Sequence, residues 1–499
     1  MDDLLNTLAA WKPFRAAVLG DFMLDQLVYG DAERLSADAP VPVLHVRRTE
    51  DRPGGAANVA MDLVALGATV VAIGVTGQDA EGRLLKGALE RERVDSAGLV
   101  EDPSRPTTVK RNLIGLAQTR HPQKMFRVDY ETREPLSGET AAALLGGLER
   151  VLGQIDVLCI EDYNKGVCTP GVCQRAIAMA RDAGVPVFVD PAAIGDYSKY
   201  RGCTAITPNR VEAERATGLP THESADLAHN GALAARLSER LECEAAVLTL
   251  DRHGALLLER GQQAVAVPTV AREVYDVTGA GDIFLAALAA GRANALSWPN
   301  AVRLANAAAG LEVEVFGVVP IPLEKIHHQL ILEHAGDDRG LRTLDRLLVE
   351  VRARRRSGER IVFTNGCFDV LHAGHAALLE AARAQGDFLI VGLNDDASIR
   401  RLKGPDRPVN TQEDRARLLG AMACVGAVVL FDQDTPLRLI EAIKPDVLVK
   451  GADWAGKGVV GQEVVEQRGG KVVLVELVEG LSTTRTLERI RGVESASNA

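Results

Sequence analysis

Apolar and polar residues follow two different rhythms along this chain. In the main rhythm, short apolar runs that end in polar residues alternate with amphipathic or alanine-rich stretches, which predicts buried strands alternating with helices. In the first part of the chain these runs predict strands at residues 15–20, 70–75, 157–161, 185–189, 205–207 and 246–249. Such alternation is typical of a parallel, doubly wound α/β sheet.

A second rhythm interrupts the first at two places. Residues 27–46 and 107–128 alternate apolar and polar positions singly and are broken by Pro and Gly. This pattern predicts β-strands that lie outside the main sheet. Two further helices are predicted at residues 59–66 and 283–293, and the second of them follows an extended run at 264–270 and 273–275.

The strand and helix pattern lapses after two closely spaced prolines, Pro320 and Pro322, and then restarts. The restart predicts strands at 361–364, 388–393, 427–431, 447–449 and 472–475, separated by helices at 376–384, 413–422, 436–443 and 461–467. We therefore predict a first domain at 1–320, a linker with a helical basic run at 321–357, and a second domain at 358–499. We interpret the arginines of the basic run as a solvated helix face rather than a nucleic-acid contact: Arg352, Arg354, Arg355 and Arg356.

The composition and net charge of the chain exclude some classes of function. The 499 residues are 46% hydrophobic and 25% charged, and the formal charge of −11 argues against an extended nucleic-acid or anionic-membrane surface. The seven cysteines have no Cys-x-x-Cys spacing, which is typical of reduced thiols. With neither a signal-like segment nor a long apolar run, we expect a cytoplasmic protein that acts on small ligands, without nucleic-acid or membrane partners.

The segment from Asp276 to Asp282 carries the first candidate site. Gly279, Ala280 and Gly281 place small residues at a helix start, where unpaired amides and the helix dipole bind anions such as phosphate. An acid directly behind them, Asp282, suits a general base that takes a proton from a hydroxyl attacking phosphorus. An aspartate that merely caps a helix after a glycine turn is the structural alternative.

Two other segments have sequence patterns that could bind phosphate, and one of them fits its pattern poorly. Residues 451–457 approach a Walker loop, but Gly458 stands where its hydroxyl residue should be, so we do not predict a P-loop. In residues 365–375, His372 and His375 lie three positions apart at a helix start. Two such imidazoles could bind zinc or donate to a triphosphate, and the lack of a clear third ligand favours the triphosphate.

Residues 276–288 resemble the C-terminal signature of the ribokinase-like PfkB sugar kinases, and residues 53–60 resemble the other signature of that family. The resemblance implies that Asp282 is the catalytic base. It implies an anion hole and ATP site at Gly279, Ala280, Gly281, Asn209, Glu212 and Thr278, with Mg²⁺ held through the phosphates and water near Glu212 and by no protein ligand directly. It implies sugar contacts at Asp21, Gly54, Gly55, Asn58, Lys110, Arg111, Asp162 and Lys165. The strands outside the main sheet would form a lid over the sugar and a homodimer face. The alternative for the lid cations is that they lie on a solvated strand face. The alternative for Asp21 is that it is a turn residue.

Residues 365–375 resemble the signature of the cytidylyltransferase-like nucleotidyltransferases, which implies that His372 and His375 are catalytic. The same resemblance implies nucleotide phosphate contacts at Thr364, Gly366, Phe368, Lys403, Lys450, Ser482 and Thr483. The fold expected for the whole chain is thus a ribokinase-like doubly wound sheet with a β lid, followed by a smaller Rossmann-like nucleotidyltransferase domain.

A chain that combines these two parts resembles the bifunctional heptose kinase/adenylyltransferases of lipopolysaccharide precursor synthesis. This resemblance implies phosphorylation of a heptose 7-phosphate by ATP with Mg²⁺, and transfer of AMP from ATP to heptose 1-phosphate, giving ADP-heptose. Two alternatives stay open. One is another sugar kinase fused to a cytidylyltransferase for glycerol phosphate or an alditol phosphate; the other is a non-catalytic sugar-phosphate sensor.

Overall fold

The chain forms two compact units in this computed structural model. The structure describes residues 2–117, 120–220, 226–269, 275–315, 317–335, 341–356, 358–454, 456 and 458–476. The larger unit is Trp11–Ile326, and the smaller unit joins Met1–Ala10 to His327–Ala499. Residues 1–10, which begin with helix α1 (Asp2–Ala9), therefore group with the second half of the chain. The predicted division into domains at 1–320 and 358–499, joined by a linker at 321–357, remains a prediction.

The larger unit contains most of the elements. Its strands are β1 (Phe14–Gly20), β2 (Phe22–Leu35), β3 (Pro42–Gly55), β4 (Ala68–Gly77), β5 (Val94–Asp95), β6 (Leu99–Asp102), β7 (Val109–Ala117), β8 (Arg120–Tyr130), β9 (Val157–Glu161), β10 (Val187–Asp190), β11 (Ala205–Ile206), β12 (Ala245–Thr249), β13 (Ala255–Glu259) and β14 (Val265–Val267). Its helices are α2 (Ala56–Ala65), α3 (Ala80–Arg91), α4 (Gly138–Leu152), α5 (Pro170–Asp182), α6 (Arg210–Thr217), α7 (Leu227–Leu241), α8 (Ala280–Ala293) and α9 (Trp298–Glu312); α10 (Leu323–Ala335) begins in this unit and ends in the smaller one.

The main sheet has the order β14-β13-β12-β11-β10-β9-β1-β4-β5, with β6 also paired to β4. Strands from β12 to β5 pair in parallel, as predicted, and their apolar side chains form the buried core with the flanking helices. The exceptions are β13 and β14, which are antiparallel. Only a short turn at Asp251–His253 joins β12 to β13, too short for the crossover that a parallel strand needs.

The strands predicted outside the main sheet form a separate four-stranded sheet, which we call the lid sheet, in the order β3-β2-β7-β8. Strands β2 and β3 pair over nearly their whole lengths, so both are longer than their alternation predicts. Several large apolar side chains of the lid sheet are exposed to solvent: Leu35, Val46, Phe126, Val128 and Tyr130.

The smaller unit has one parallel sheet of order β15-β18-β17-β16-β19-β20. Its strands are β15 (Leu341–Arg342), β16 (Ile361–Gly366), β17 (Phe388–Asn394), β18 (Ala427–Phe431), β19 (Val447–Gly451) and β20 (Lys471–Val475). Its other helices are α11 (Leu344–Arg356), α12 (Ala373–Arg383), α13 (Asp396–Lys403), α14 (Gln412–Gly420), α15 (Leu437–Ile443) and α16 (Gln462–Glu466). From β16 the next strands, β17 and β18, are added on one side of the sheet, and β19 and β20 are then added on the other side. The strand order therefore reverses between β16 and β19, as in Rossmann-like folds.

Helix α11 contains the basic run and packs on two sides. Leu347 and Val351 contribute to the core beneath the sheet, and α1 packs against α11 with Leu4 and Leu8 fully buried. The interpretation of the arginines as a solvated face is wrong for Arg354. Its side chain is almost completely buried. Its guanidinium pairs there with Glu350 and Glu359 and lies 3.8 Å from the centre of the Phe388 ring. Among the described residues, no helix has the length and apolar character needed to cross a membrane.

Two candidate active sites

Asp282 lies on the first turn of α8, whose capping residue Gly279 adopts a left-handed backbone (φ 91°). The carboxylate is 4% exposed and accepts a hydrogen bond at each oxygen: Oδ2 from the Asn58 amide at 2.8 Å and Oδ1 from the Tyr163 hydroxyl at 2.9 Å. Burial raises the pKa of Asp282 to about 6, and these two hydrogen bonds oppose that rise. A carboxylate with a pKa near the working pH suits a general base.

Three carboxylates meet where neighbouring strands end. Oxygens of Glu161 at the end of β9, Asp190 at the end of β10, and Asp282 lie within 4.8 Å of one another. Burial first, and then the charge of Asp190, raise the pKa of Glu161 well above its usual range, and its buried Oε2 has no hydrogen-bond partner. Hard oxygen donors of this kind are what Mg²⁺ prefers, and a cation would relieve their repulsion. The donor set therefore fits magnesium, at residues for which we predicted no direct metal contact.

Asn209 and Glu212 stand at the start of α6 and form a reciprocal cap. The Glu212 amide donates to the Asn209 side chain at 3.0 Å, and the Asn209 amide donates to the Glu212 carboxylate at 2.8 Å. After burial, the charge of Glu212 is the largest influence that raises the pKa of Asp190. Glu212 therefore lies at the edge of the acidic cluster, and its role near magnesium remains a prediction.

At the start of α8, a side chain on Gly279 would clash with its neighbours, whereas one on Gly281 would only reach contact distance. A Cβ added to Gly279 would lie 2.6 Å from Oε1 of buried Glu312, and one added to Gly281 would lie 3.4 Å from Oδ2 of Asp190. Close to them, the Thr278 hydroxyl donates to the Asp276 carboxylate at 2.7 Å and so stabilises the loop that precedes α8. The amides of Gly279, Ala280 and Gly281 begin the helix, where anions bind.

Several predicted sugar ligands hold the loop that follows β9. Asp21, 2% exposed, accepts hydrogen bonds from the backbone amides of Tyr163, Lys165 and Val167. Burial, and then the charge of Asp162, raise the pKa of Asp21 to about 6. The carboxylate of Asp162 is itself bound by the Lys199 ammonium and by the Tyr200 hydroxyl, which lies 2.7 Å away.

The lid sheet brings cations and one further acid to this region. The Lys110 ammonium lies 4.6 Å from the centre of the Tyr163 ring, whereas Arg111 donates to Gln26 at 2.8 Å and Lys165 pairs with Glu131. Asp25 on β2 is a residue that sequence reasoning missed. A Cβ on Gly54 would lie 2.5 Å from its carboxylate, whose pKa burial raises and the charge of Lys110 lowers. Its position four residues after Asp21, which lies between β1 and β2, was the available signal.

Tyr163 is the second residue that sequence reasoning missed, although it lies between the predicted sugar contacts Asp162 and Lys165. Burial and the charge of Asp282 raise the pKa of Tyr163 well above its usual range, so its hydroxyl stays a donor. Nothing in its spacing predicts this contact, because Tyr163 and Asp282 are 119 residues apart.

In the smaller unit, the two motif histidines stack at the start of α12. His372 caps the helix, and its ring centre lies 3.9 Å from that of His375, which also packs at 5.1 Å against the ring of Phe368. Burial, and then the charge of His372, lower the pKa of His375 to about 4, and burial lowers the pKa of His372. The Nδ1 atoms of both rings are buried without a hydrogen-bond partner. Both imidazoles are thus neutral at pH 7 and available to an incoming ligand.

Other predicted phosphate ligands lie around β16. Thr364 is fully buried with an unpartnered hydroxyl, Gly366 ends the strand, and Lys450 donates to the Asn365 side chain at 2.5 Å. Lys403, in the last turn of α13, is close enough to lower the pKa of His375. Arg407 was missed: it pairs with buried Asp369, and its Nη2 is buried without a partner. Ser482 and Thr483 lie outside the described residues.

The choice between zinc and phosphate at the histidines follows from their surroundings. Among the described residues, the acidic cluster around Asp282 is the only set of three His, Cys, Asp or Glu placed to share a metal ion. His372 and His375 therefore have no third protein ligand within the described chain, whereas basic side chains lie nearby. This arrangement favours phosphate over zinc, and the phosphate ligand predicted from the sequence remains a prediction.

Comparison with known proteins agrees with these two sites. Residues 15–326 match the pfkB family of carbohydrate kinases, and residues 363–489 match the cytidylyltransferase-like family. The crystal structure of phosphofructokinase-2 from Escherichia coli in complex with potassium covers 63% of this chain and 97% of its own, with a TM-score of 0.51 and 20% identity, and so shares the fold. The fold and sites define a bifunctional enzyme, a carbohydrate kinase joined to a nucleotidyltransferase.

Relatives with both parts identify the family. Bifunctional protein HldE of Geobacter sulfurreducens is 45% identical over 475 residues, 95% of this chain and 95% of that protein. The protein of the same name from Geobacter metallireducens is 44% identical over 479 residues, 96% of each chain. The chain belongs to the bifunctional HldE family.

Proposed function

We propose that this enzyme carries out two steps of ADP-heptose synthesis for the lipopolysaccharide core. The larger unit phosphorylates D-glycero-β-D-manno-heptose 7-phosphate at O1 with ATP, giving the 1,7-bisphosphate. After a separate phosphatase removes the 7-phosphate, the smaller unit transfers AMP from ATP to heptose 1-phosphate. The products of the second reaction are ADP-heptose and pyrophosphate.

The kinase step rests on one observation above all: Asp282 lies directly behind the small residues that open α8. In the reaction, Asp282 takes the proton of the O1 hydroxyl as that oxygen attacks the γ-phosphorus of ATP, and ADP leaves. The amides of Gly279, Ala280 and Gly281 stabilise the charge on the transferring group. Lys110, whose ammonium lies 4.6 Å from the centre of the Tyr163 ring, would bind the phosphate that the substrate already carries.

Magnesium fits the acidic cluster, where Glu161 and Asp190 would hold it together with the ATP phosphates. Bound there, it would neutralise charge on the phosphates. Glu212 would contact it through water. The proposal uses Asp282 as the base and leaves metal binding to the other two acids.

The nucleotidyl step rests on the stacked, neutral imidazoles of His372 and His375. A phosphate oxygen of heptose 1-phosphate attacks the α-phosphorus of ATP in line, and pyrophosphate leaves. Each imidazole can donate a ring N–H to the phosphate oxygens, where negative charge builds up. Thr364, Lys450 and Arg407 would contact the nucleotide phosphates, which is supported by the unpartnered Oγ1 of Thr364 and Nη2 of Arg407 and by the contact of Lys450 with Asn365 of β16.

The decisive experiment gives the full chain each substrate pair and measures both half-reactions. Heptose 7-phosphate with ATP should yield ADP and the bisphosphate, and heptose 1-phosphate with ATP should yield pyrophosphate. A panel with CTP and glycerol or alditol phosphates tests the alternative cytidylyltransferase. Binding of these ligands without any turnover would support the non-catalytic sensor instead and refute the proposal.

Two variants assign the half-reactions to their sites. Asp282→Asn should lose sugar phosphorylation and keep pyrophosphate release, whereas His375→Ala should do the opposite. Substantial kinase activity in Asp282→Asn would refute its role as base. Loss of both activities in either variant would contradict separate sites.

We also propose that two copies of the chain associate through the exposed apolar face of the lid sheet. Phe126, 70% exposed, and Val128 lie on one strand of that face. Phe126→Asp should convert a dimer to a monomer in sedimentation, whereas Leu227→Asp, at an apolar residue of α7 that is 49% exposed, should not. A wild-type monomer at micromolar concentration would refute this proposal.

A cytoplasmic location is the final part of the proposal. Both reactions consume ATP, and the seven cysteines are all free thiols, which fits a reducing compartment. Fractionation of cells should recover both activities in the cytoplasmic fraction. Recovery mainly with membranes or periplasm would contradict this location.

A further inference from the structure

Tyr163 contacts three parts of the kinase site through three different groups. Its hydroxyl donates to Oδ1 of Asp282 at 2.9 Å, its backbone amide donates to Asp21 at 2.9 Å, and its ring lies 4.6 Å from the Lys110 ammonium. These partners come from α8, from the end of β1 and from the lid sheet. One side chain thus joins the proposed base to the lid.

The hydroxyl contact matters because Asp282 can turn about its side-chain torsions. Tyr163 and Asn58 each hold one carboxylate oxygen, so together they fix the plane of the group. Other acids surround it and would favour different orientations: Asp25, Asp62, Glu161, Asp190 and Glu312. Asn58 is anchored on α2, but Tyr163 belongs to a loop whose position depends on Asp21 and lies under Lys110.

We propose that Tyr163 is a positioning residue for the kinase reaction: through its hydroxyl it holds the carboxylate of Asp282 toward the attacking sugar hydroxyl. The inference rests on the proposed role of Asp282 as base. It assigns the chemical step, rather than substrate affinity, to the Tyr163 hydroxyl, since that hydroxyl is bonded to the base.

Tyr163→Phe removes the hydroxyl and keeps the ring beneath Lys110. With the full chain, heptose 7-phosphate and ATP, we expect kcat for the kinase reaction to fall at least about tenfold, the range of one hydrogen bond to a charged group. The KM values for both substrates should stay within about twofold, and adenylyl transfer should be unchanged. An unchanged kcat, or a rise in KM that accounts for the loss, would overturn the proposal.

Tyr197→Phe is the matched control. Tyr197 is also a buried tyrosine of the larger unit, but its hydroxyl has no hydrogen-bond partner in the structure. Its removal should leave both kcat and the melting temperature nearly unchanged. If Tyr197→Phe lowers kcat as much as Tyr163→Phe does, the effect is a general one of losing a buried hydroxyl, and the assignment fails.

A double-mutant cycle with Asp282→Asn separates positioning from a structural effect. If Tyr163 acts through Asp282, adding Tyr163→Phe to Asp282→Asn should reduce the residual rate by less than about twofold. Additive losses would refute positioning. If instead the wild-type chain fails to phosphorylate the sugar, or Asp282→Asn is fully active, the proposed function or its base fails, which is a different result from additivity.

Discussion

Buried polar atoms without a partner mark both proposed sites at the scale of single residues. In the larger unit they include Oε2 of Glu161 and Oδ1 of Asn58, and in the smaller unit Oγ1 of Thr364, the Nδ1 atoms of the paired histidines and Nη2 of Arg407. A buried polar atom left unpaired destabilises a fold, so such atoms are uncommon unless a ligand satisfies them. Other such atoms, including the hydroxyls of Thr76 and Tyr197, belong to residues outside the two sites, so an unpaired atom supports a site only together with its neighbours.

Thr364 provides the clearest test of this reading. Replacing Thr364 by Val removes the unpaired hydroxyl and keeps the shape, so the free energy of unfolding should stay within about 1 kcal/mol or rise. Adenylyl transfer should nevertheless fall, because the hydroxyl is placed to meet a nucleotide phosphate. Chemical denaturation and pyrophosphate release measure the two effects; a stability loss with full activity would contradict the role.

Gly279 provides a test in the larger unit. Gly279→Ala would combine a positive φ with a Cβ 2.6 Å from Glu312, so we expect a loss of about 1–3 kcal/mol in stability and a strong loss of kinase activity. Gly146→Ala, in the middle of α4 with open space around its Cα, should instead be neutral or stabilising. Equal effects of the two changes on denaturation and kinase rate would refute the argument.

Sequence alone could name the acid and the histidines but not the partners that tune them. Asp282, His372 and His375 follow helix starts that local patterns predict. Asp21 also follows a strand end, but whether such an acid faces a ligand or binds loop amides depends on residues 142 to 146 positions away. Contacts over that separation are set by the packed fold.

At the scale of elements, the parallel strands were the easiest to predict. Strands β9 and β18 have the bounds that their apolar runs indicate, because strands buried on both faces carry continuous apolar sequence. Strand β14 lies within the extended run predicted at 264–270, but strand β13 and the full lengths of β2 and β3 were not predicted. Their extent depends on pairing with neighbours as much as on their own residues.

Helix α14 depends on one charged residue for its position. Arg415 is fully buried and donates to the carbonyl oxygens of Asn410, Cys367 and Asn394, and it pairs with Asp396 at 2.7 Å. It therefore ties the helix to the ends of β16 and β17, beside the histidine motif. No spacing rule predicts a buried arginine at this position.

Arg415→Met should remove the hydrogen bonds that hold α14 against the ends of β16 and β17. We expect the smaller unit to lose about 3–5 kcal/mol of stability, since the carbonyls and Asp396 lose their partner, and adenylyl transfer to fall with it. Kinase activity should be unaffected. Arg417→Met, on the exposed side of the same helix, is the control in thermal unfolding; a similar loss there would contradict this account.

At the scale of the whole molecule, the chain passes between its two units twice, at residues 10–11 and 326–327. The first passage exists because α1 packs against α11, an arrangement that sequence patterns could not predict. Helix α1 has only eight residues, and its grouping depends on a helix more than 300 positions later in the chain.

Leu8→Asp tests the importance of that packing. Leu8 is fully buried, so a carboxylate there should destabilise the smaller unit by about 3 kcal/mol or more and reduce adenylyl transfer at elevated temperature. The kinase rate at low temperature should not change. Asn6→Asp, on the exposed side of α1, serves as control, and equal behaviour of the two variants in thermal unfolding would refute the packing.

The double passage has a consequence for limited proteolysis. A protease that cuts once at residues 317–322, just before α10 begins, produces an amino-terminal fragment that still carries α1 at its tip. Because α1 is packed within the other fragment, the two pieces should co-elute on gel filtration after nicking and separate only in denaturant. A second cut near residue 10 should let them part under native conditions, leaving a ten-residue peptide bound to the carboxyl-terminal piece.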